Sequence, residues 1–214
     1  MVKEPGFEHA VRYVMPDVDY DEFVDRLRHV RNQQDFQEHV MGRFLEMLAA
    51  STTDGLSIDG VENCEPGRSY TFISNHRDIV LDASFLNLCF IRSGLPLTQI
   101  AIGNNLLIYE WISDLVKVNR SFIVKRDVKM VKALEAARQL SAYIHFTINT
   151  LHESVWIAQR EGRAKDSNDL TQESLVKMLG LGGTGDDLKT NLEQINLMPV
   201  SISYEYDPND YLKA

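Results

Sequence analysis

The residues of this chain best suited to chemistry lie in one short segment, residues 74–82, with the sequence SNHRDIVLD. Its histidine, His76, is followed by two carboxylates, Asp78 and Asp82. A carboxylate beside a histidine fixes the imidazole tautomer and stabilises its positive charge, and such a pair commonly removes a proton from an alcohol near neutral pH. The segment therefore predicts a general base, with a solvated turn as the alternative interpretation.

Two further segments place cations directly after apolar runs. The run SFIVKR ends in Lys125 and Arg126, and the run WIAQREGRAK contains Arg163 and Lys165. Arginine pairs with phosphate through two parallel hydrogen bonds, so arginines delivered from two strand ends would suit an anionic group with several oxygens. Cations that only cap strands in water are the alternative interpretation.

The pattern of apolar residues predicts the elements that position these segments. Helical spacing predicts helices over residues 20–50, 79–91, 127–151 and 170–179. Short apolar or alternating runs predict strands over residues 56–60, 70–73, 97–102, 122–124, 154–158 and 197–204. Strands that alternate with helices indicate an α/β fold, and open α/β sheets usually place their sites at strand ends.

The composition is that of an acidic globular protein, with 214 residues and a formal net charge of -9. A general nucleic-acid binder needs a broad basic face, so the charge argues against that class. Two cysteines, Cys64 and Cys89, make neither a disulfide framework nor a zinc cluster. Without a signal peptide or a membrane-spanning run, we expect a cytoplasmic protein, peripheral to the inner face of the cytoplasmic membrane.

The order of these segments resembles that of the glycerolipid acyltransferases, most closely their glycerol-3-phosphate acyltransferase branch. SNHRDIVLD is similar to the family's first block, SFIVKR to the second, Glu161-Gly162-Arg163 to the third and LMPVSISYEY to the fourth. The runs GVEN and IAIGNNL also resemble segments of this branch. The resemblance covers residues 56–204.

The resemblance implies an α/β fold, with a mixed sheet flanked by helices of the glycerol-3-phosphate acyltransferase-like type. The helical spacing and the turn cluster at residues 51–55 predict an N-terminal helical segment over residues 1–54. A catalytic domain, which could be truncated at its C-terminus, would span residues 55–214.

The resemblance also implies a role for each residue. His76 would be the general base that takes the proton from the hydroxyl of glycerol-3-phosphate, with Asp82 or Asp78 as its partner and Asn75 in support. Four cations would bind the phosphate: Arg126, Arg163, Lys165 and Lys125. Glu161 and Gly162 of the third block would support them. The freed oxygen would attack the thioester of acyl-CoA or acyl-carrier protein, a co-substrate, with no cofactor and no metal, in phospholipid biosynthesis.

Two departures from the family pattern leave alternatives open. The family has four residues between its histidine and aspartate, whereas five separate His76 from Asp82. Positions six apart on a regular helix lie about 120° apart around its axis, so Asp82 reaches His76 only if the turn bulges. Asp78 is the other candidate, although it could cap the following helix; the apolar pattern after Asp82 favours Asp82. The family commonly has one residue between the Glu-Gly pair and the arginine of its third block, and this chain has none. The resemblance therefore assigns a role to Arg163 more directly than to Glu161.

Other functions are compatible with the same pattern. The acceptor could be lysophosphatidic acid (1-acylglycerol-3-phosphate), although SISYE in the fourth block resembles the glycerol-3-phosphate branch more closely. A non-catalytic acyl-carrier or lipid-binding module would account for the departures, and a thioesterase would release free fatty acid without an acceptor. Residues 117–132 hold six basic residues and one acidic residue, a patch that could contact an acyl carrier or a membrane surface.

Overall fold

The chain forms two compact units. The computed structural model describes residues 1–126, 128–164, 166 and 168–208. Unit 1 comprises Met1–Gly55 and Ile102–Arg126, and unit 2 comprises Leu56–Ala101 and Asp127–Ala214. Residues 102–126 are thus grouped with the N-terminal residues, and the predicted division into a helical segment and a catalytic domain stays a prediction. The predicted helix start at Asp127 lies outside the described residues.

Helices and strands alternate along most of the chain, so the predicted α/β class is confirmed. The α-helices within the described ranges are α1 (Pro5–Val14), α2 (Tyr20–Arg28), α3 (Gln33–Asp35), α4 (Gly42–Thr52), α5 (Leu81–Ser93), α6 (Glu110–Val118), α7 (Met130–Phe146), α8 (Glu173–Leu179) and α9 (Leu188–Glu193). The strands are β1 (Thr71–Ser74), β2 (Thr98–Gly103), β3 (Ser121–Val124), β4 (Ser154–Ala158) and β5 (Leu197–Val200). Two π-helical segments, Phe36–Met41 and Thr147–Leu151, adjoin α4 and α7.

Unit 1 packs its helices around an apolar cluster. Phe7 and Val11 lie four positions apart on α1, and Tyr20 and Val24 have the same spacing on α2, so each pair lies on one helix face. Trp111 of α6 packs against this cluster, with its ring centroid 5.9 Å from that of Phe7. This packing groups α6 with the N-terminal helices. No helix in the described ranges is both long and apolar enough to cross a bilayer.

Unit 2 contains a sheet in which β2, β4, β1 and β5 lie in that order. The three pairs of neighbouring strands are all parallel, so the mixed sheet predicted above is wrong for these strands. Parallel pairing follows from the connections, because successive strands are joined through helices rather than tight hairpins. Pro199 lies in β5, at the end of the sheet order, where a residue without a backbone N–H is tolerated.

Several predicted elements have different ends in the structure. The predicted strand at residues 56–60 is wrong: those residues form no strand, and Gly60 ends the run in a left-handed conformation with φ of 79°. The helix predicted from residue 79 is α5, which begins at Leu81, and the helix predicted from residue 170 begins at Glu173. Helices α6 and α9 were not predicted, and α1 lies within the N-terminal segment that was predicted to be helical.

Candidate active site

The Asp82 carboxylate is the most extensively hydrogen-bonded group at the end of β1. Its Oδ2 accepts hydrogen bonds from His76 Nδ1 at 2.9 Å, from the backbone N–H of Arg77 at 2.7 Å and from that of Asp78 at 3.0 Å. Its Oδ1 accepts a hydrogen bond from the Tyr204 hydroxyl at 2.9 Å. A carboxylate that is buried costs free energy unless its oxygens are paired, so these donors explain how Asp82 remains 0% exposed.

The turn between β1 and α5 explains why Asp82, and not Asp78, is the partner of His76. Most of the chain between His76 and Asp82 precedes the helix, so the angular argument for a regular helix does not apply. Asp78 instead caps α5, because its Oδ1 accepts the backbone N–H of Val80 and that of Leu81, each at 2.9 Å. The favoured alternative, a contact between His76 and Asp82, is therefore present.

The His76 ring has one nitrogen available for chemistry. A carboxylate only accepts hydrogen bonds, so Nδ1 carries the proton that is donated to Asp82, and Nε2 of the neutral ring is an acceptor. Within the described ranges no group hydrogen-bonds Nε2, and the His76 side chain is 9% exposed. The imidazole and the Trp156 ring are T-shaped, with their centroids 6.2 Å apart. Trp156 Nε1–H donates to Ser74 Oγ at 3.0 Å. Asp82 thus holds the imidazole at Nδ1, and Nε2 has no hydrogen-bond partner among the described residues.

The third block lies beside the His76 turn. The backbone N–H of Ala164 donates to the carbonyl oxygen of His76 at 2.7 Å, so the chain next to Arg163 contacts the histidine residue itself. Gly162 has φ of 70°, which allows the chain to turn after β4 toward this contact. Arg163 is partly exposed. Two sequence segments predicted to share a site are thereby adjacent within unit 2.

Sequence reasoning missed the ion pair that ties this loop to the turn. The Arg77 guanidinium donates to Asp169 Oδ2, and also to the Asp166 carbonyl oxygen at 2.9 Å. Asp169 and Arg77 lie 92 positions apart in the chain, so no local pattern could reveal the pair. Arg77 therefore holds the loop that carries the third block.

The fourth block reaches the site through Asn75. Strand β1 ends at Ser74, whose register partner in β5 is Val200, and no strand pairing follows. The Asn75 side chain replaces it, since Nδ2 donates to the Ile202 carbonyl at 2.8 Å and Oδ1 accepts the Ile202 N–H at 2.7 Å. The strand predicted over residues 197–204 is therefore too long, but its last residue, Tyr204, still reaches Asp82.

The Tyr204 hydroxyl is a donor that sequence reasoning did not identify. Burial raises the pKa of Tyr204, and the negative charge of Asp82 raises the pKa further. Smaller contributions to the raised pKa of Tyr204 come from Asp78 and Asp207. At neutral pH the Tyr204 hydroxyl therefore keeps its proton and donates a hydrogen bond to the Asp82 carboxylate.

The second block lies in unit 1. The backbone N–H of Arg126 donates to Asn104 Oδ1 at 2.7 Å, and the Arg126 side chain crosses Gly103. A Cβ at Gly103 would lie 2.5 Å from Arg126 Nε, so this glycine provides the close approach. Lys125 is exposed. The expectation that Arg126 and Arg163 bind one phosphate stays a prediction.

The remaining predicted residues are Lys165 and Glu161. Lys165 lies outside the described residues. Glu161 is exposed, and its backbone N–H donates to Gln172 Oε1 at 2.9 Å. Within the part of the chain that the structure describes, no three His, Cys, Asp or Glu side chains come together to hold a metal ion.

Comparisons with known proteins identify no relative. No protein-family model, no curated protein and no solved structure matches the chain. The resemblance to the glycerol-3-phosphate acyltransferases thus depends on the segments quoted above.

Proposed function

We propose that the protein is an O-acyltransferase that transfers an acyl group from a thioester, carried by CoA or acyl-carrier protein, to the hydroxyl of glycerol-3-phosphate. The hydrogen bond of 2.9 Å between His76 and Asp82 carries the proposal. It leaves Nε2 unpaired among the described residues, on the turn that contacts the segment of Arg163. A general base on one segment and a guanidinium on the neighbouring segment would suit an acceptor that has both a hydroxyl and a phosphate.

In this proposal His76 moves one proton during the reaction. Nε2 takes the proton from the acceptor hydroxyl while the oxygen attacks the thioester carbonyl carbon. The tetrahedral intermediate then breaks its carbon–sulfur bond, and the imidazolium returns the proton to the departing sulfur. The products are an ester and a free thiol, and no acyl-enzyme forms. Asp82 stabilises the transient imidazolium and keeps the ring oriented.

The phosphate of the acceptor is recognised by a guanidinium group. Arg163, which lies next to the His76 turn within unit 2, is the proposed ligand. An arginine that pairs with two phosphate oxygens supplies binding energy for the acceptor in both the ground and transition states. Water must be kept away from the bound thioester, because hydrolysis competes with transfer. The product, a lysolipid phosphate, would serve phospholipid synthesis at a membrane surface.

The test is an acyl-transfer assay with purified protein. Labelled acyl-CoA or acyl-carrier protein is offered with glycerol-3-phosphate, 1-acylglycerol-3-phosphate, glycerol or no acceptor. We expect an ester product with glycerol-3-phosphate, and a loss of about 10²-fold to 10⁴-fold in kcat for His76→Ala. His9→Ala is the control, because His9 is an exposed histidine of α1.

Other results would reject the proposal. A folded His76→Ala protein with unchanged transfer removes the histidine from the mechanism. Free fatty acid released without an acceptor indicates a thioesterase, and binding of the thioester without any product indicates a binding module. A clear preference for 1-acylglycerol-3-phosphate changes the acceptor and keeps the chemistry.

A further inference from the structure

We propose that Tyr204 is a positioning residue of this site: its hydroxyl holds the Asp82 carboxylate in the orientation that keeps His76 aligned. The inference deepens the proposed function and rests on it. Tyr204 belongs to the fourth block, LMPVSISYEY, to which the sequence assigned no chemical role.

The geometry at Asp82 gives the two carboxylate oxygens different partners. Oδ2 accepts the imidazole and two backbone N–H groups, whereas Oδ1 accepts Tyr204 at 2.9 Å. Among the described residues Tyr204 is the donor that holds Oδ1. Asp82 is 0% exposed, so its Oδ1 has no contact with bulk water in the folded protein. Without the hydroxyl, the carboxylate would have one unsatisfied oxygen in a buried site and would be freer to rotate.

The residues before Tyr204 position its side chain next to Asp82. The paired hydrogen bonds between Asn75 and Ile202 hold the backbone two residues before the tyrosine. Exposure then alternates, with Ile202 and Tyr204 half-buried and the residues between and after them exposed. This period of two is that of an extended chain, which places the two side chains on one face. The hydrogen bonds between Asn75 and Ile202 thus support the contact between Tyr204 and Asp82.

The hydroxyl also affects the charge that Asp82 presents to His76. A donor on Oδ1 withdraws part of the negative charge, so the protonated imidazole is stabilised less than by a carboxylate without that donor. Among the described residues, the other charged groups near this pair are Asp78, Arg77, the Arg77 partner Asp169, and Asp207. Tyr204→Phe substitutes none of these residues.

The test compares Tyr204→Phe with Tyr206→Phe. Both variants lose one hydroxyl, but Tyr206 is 77% exposed and lies two residues further along. For Tyr204→Phe we expect kcat to fall by about 10-fold to 100-fold, while the KM values of both substrates change by less than about twofold. The acid limb of the plot of kcat/KM against pH moves to higher pH. Tyr206→Phe keeps the wild-type values.

Two further measurements separate positioning from a loss of fold. In an Asp82→Asn background, Tyr204→Phe should change the residual kcat by less than about twofold, because the group through which it acts is gone. The proton NMR resonance of His76 Nδ1–H should shift in Tyr204→Phe and not in Tyr206→Phe. This resonance is read without any substrate, so it tests the contact even if no acyl transfer is found.

The inference and the proposed function fail in different ways. Wild-type kcat and pH profile in Tyr204→Phe, with transfer still dependent on His76, overturn the role of Tyr204 and leave the function intact. An equal loss of kcat in the wild-type and Asp82→Asn backgrounds also overturns that role. No transfer by the wild-type protein to any acceptor rejects the function.

Discussion

Asp82 reaches His76 because their contact is made across a turn and not along a helix. The sequence predicted both residues and left Asp78 as the alternative, since spacing alone does not tell where a helix begins. In the structure Asp78 Oδ1 accepts the N–H groups of Val80 and Leu81 at the start of α5, and Asp82 contacts His76. Tyr204 could not be predicted, because its contact with Asp82 spans 122 positions.

Arg163 provides a prediction at the same scale. Arg163→Ala is expected to raise the KM for glycerol-3-phosphate by about 10-fold to 100-fold, because a charged hydrogen bond to the phosphate is lost. The kcat should change by less than severalfold, since the phosphate is bound equally in the ground and transition states. Steady-state kinetics with varied acceptor measures both values.

The control for Arg163→Ala is Lys189→Ala, whose side chain is 87% exposed on α9. It should leave the KM for the acceptor unchanged. Arg163→Lys keeps the charge but loses the planar fork, so its KM should lie between those of the wild type and Arg163→Ala. An Arg163→Ala enzyme with the wild-type KM would remove Arg163 from the phosphate site.

At the scale of elements, the strands and helices around the site could be predicted better than their ends. Apolar runs and helical spacing located β1, α5, β4 and β5, because those patterns reflect burial in the sheet and its helices. The ends depend on tertiary hydrogen bonds that the local sequence does not contain. Strand β5 ends at Val200 because β1 ends at its register partner, Ser74. The run at residues 56–60 alternates like a strand but pairs with none.

The cap of α5 should be measurable as stability. Asp78→Ala removes the acceptor of two backbone N–H groups, and the free energy of unfolding should fall by about 0.5 to 2 kcal/mol. Asp78→Asn keeps a capping oxygen and should lose less. Urea unfolding followed by circular dichroism compares the two variants. Equal losses would mean that the charge of Asp78, and not its capping geometry, stabilises the turn.

At the scale of the whole molecule, the sequence predicted the α/β class but not the grouping of the chain. Residues 102–126 belong to unit 1 with the N-terminal helices, an association that rests on packing such as that of Phe7 against Trp111. Nothing in the order of helices and strands encodes which apolar faces meet. The parallel pairing of the strands in unit 2 likewise depends on the helical connections between strands and cannot be read from any one strand.

Tyr204 links the stability of the molecule to alkaline pH. Burial, and then the charge of Asp82, raise the pKa of Tyr204 above its ordinary value of 10.0. A group with a raised pKa in the folded state contributes fully below its unfolded pKa, and that contribution is lost as the pH rises toward the folded value. Above about pH 10, the wild type should lose about 1.4 kcal/mol per pH unit more than Tyr204→Phe.

Urea unfolding of both proteins at about pH 8 and about pH 11 measures this difference. Other groups that titrate in this range are shared by the two proteins, so their effects cancel in the comparison. Parallel losses of stability would show that the Tyr204 hydroxyl does not stay protonated in the folded state.

The backbone N–H groups of Arg77 and Asp78 donate hydrogen bonds to Asp82, and this determines which sequence changes the turn can tolerate. Every residue except proline supplies such a group, so the side chain at position 77 could be exchanged without removing this donor. One inserted or deleted residue would instead slide the carboxylate past its donors. In this protein the number of residues between His76 and Asp82 is therefore fixed more tightly by these donors than the side chain at position 77.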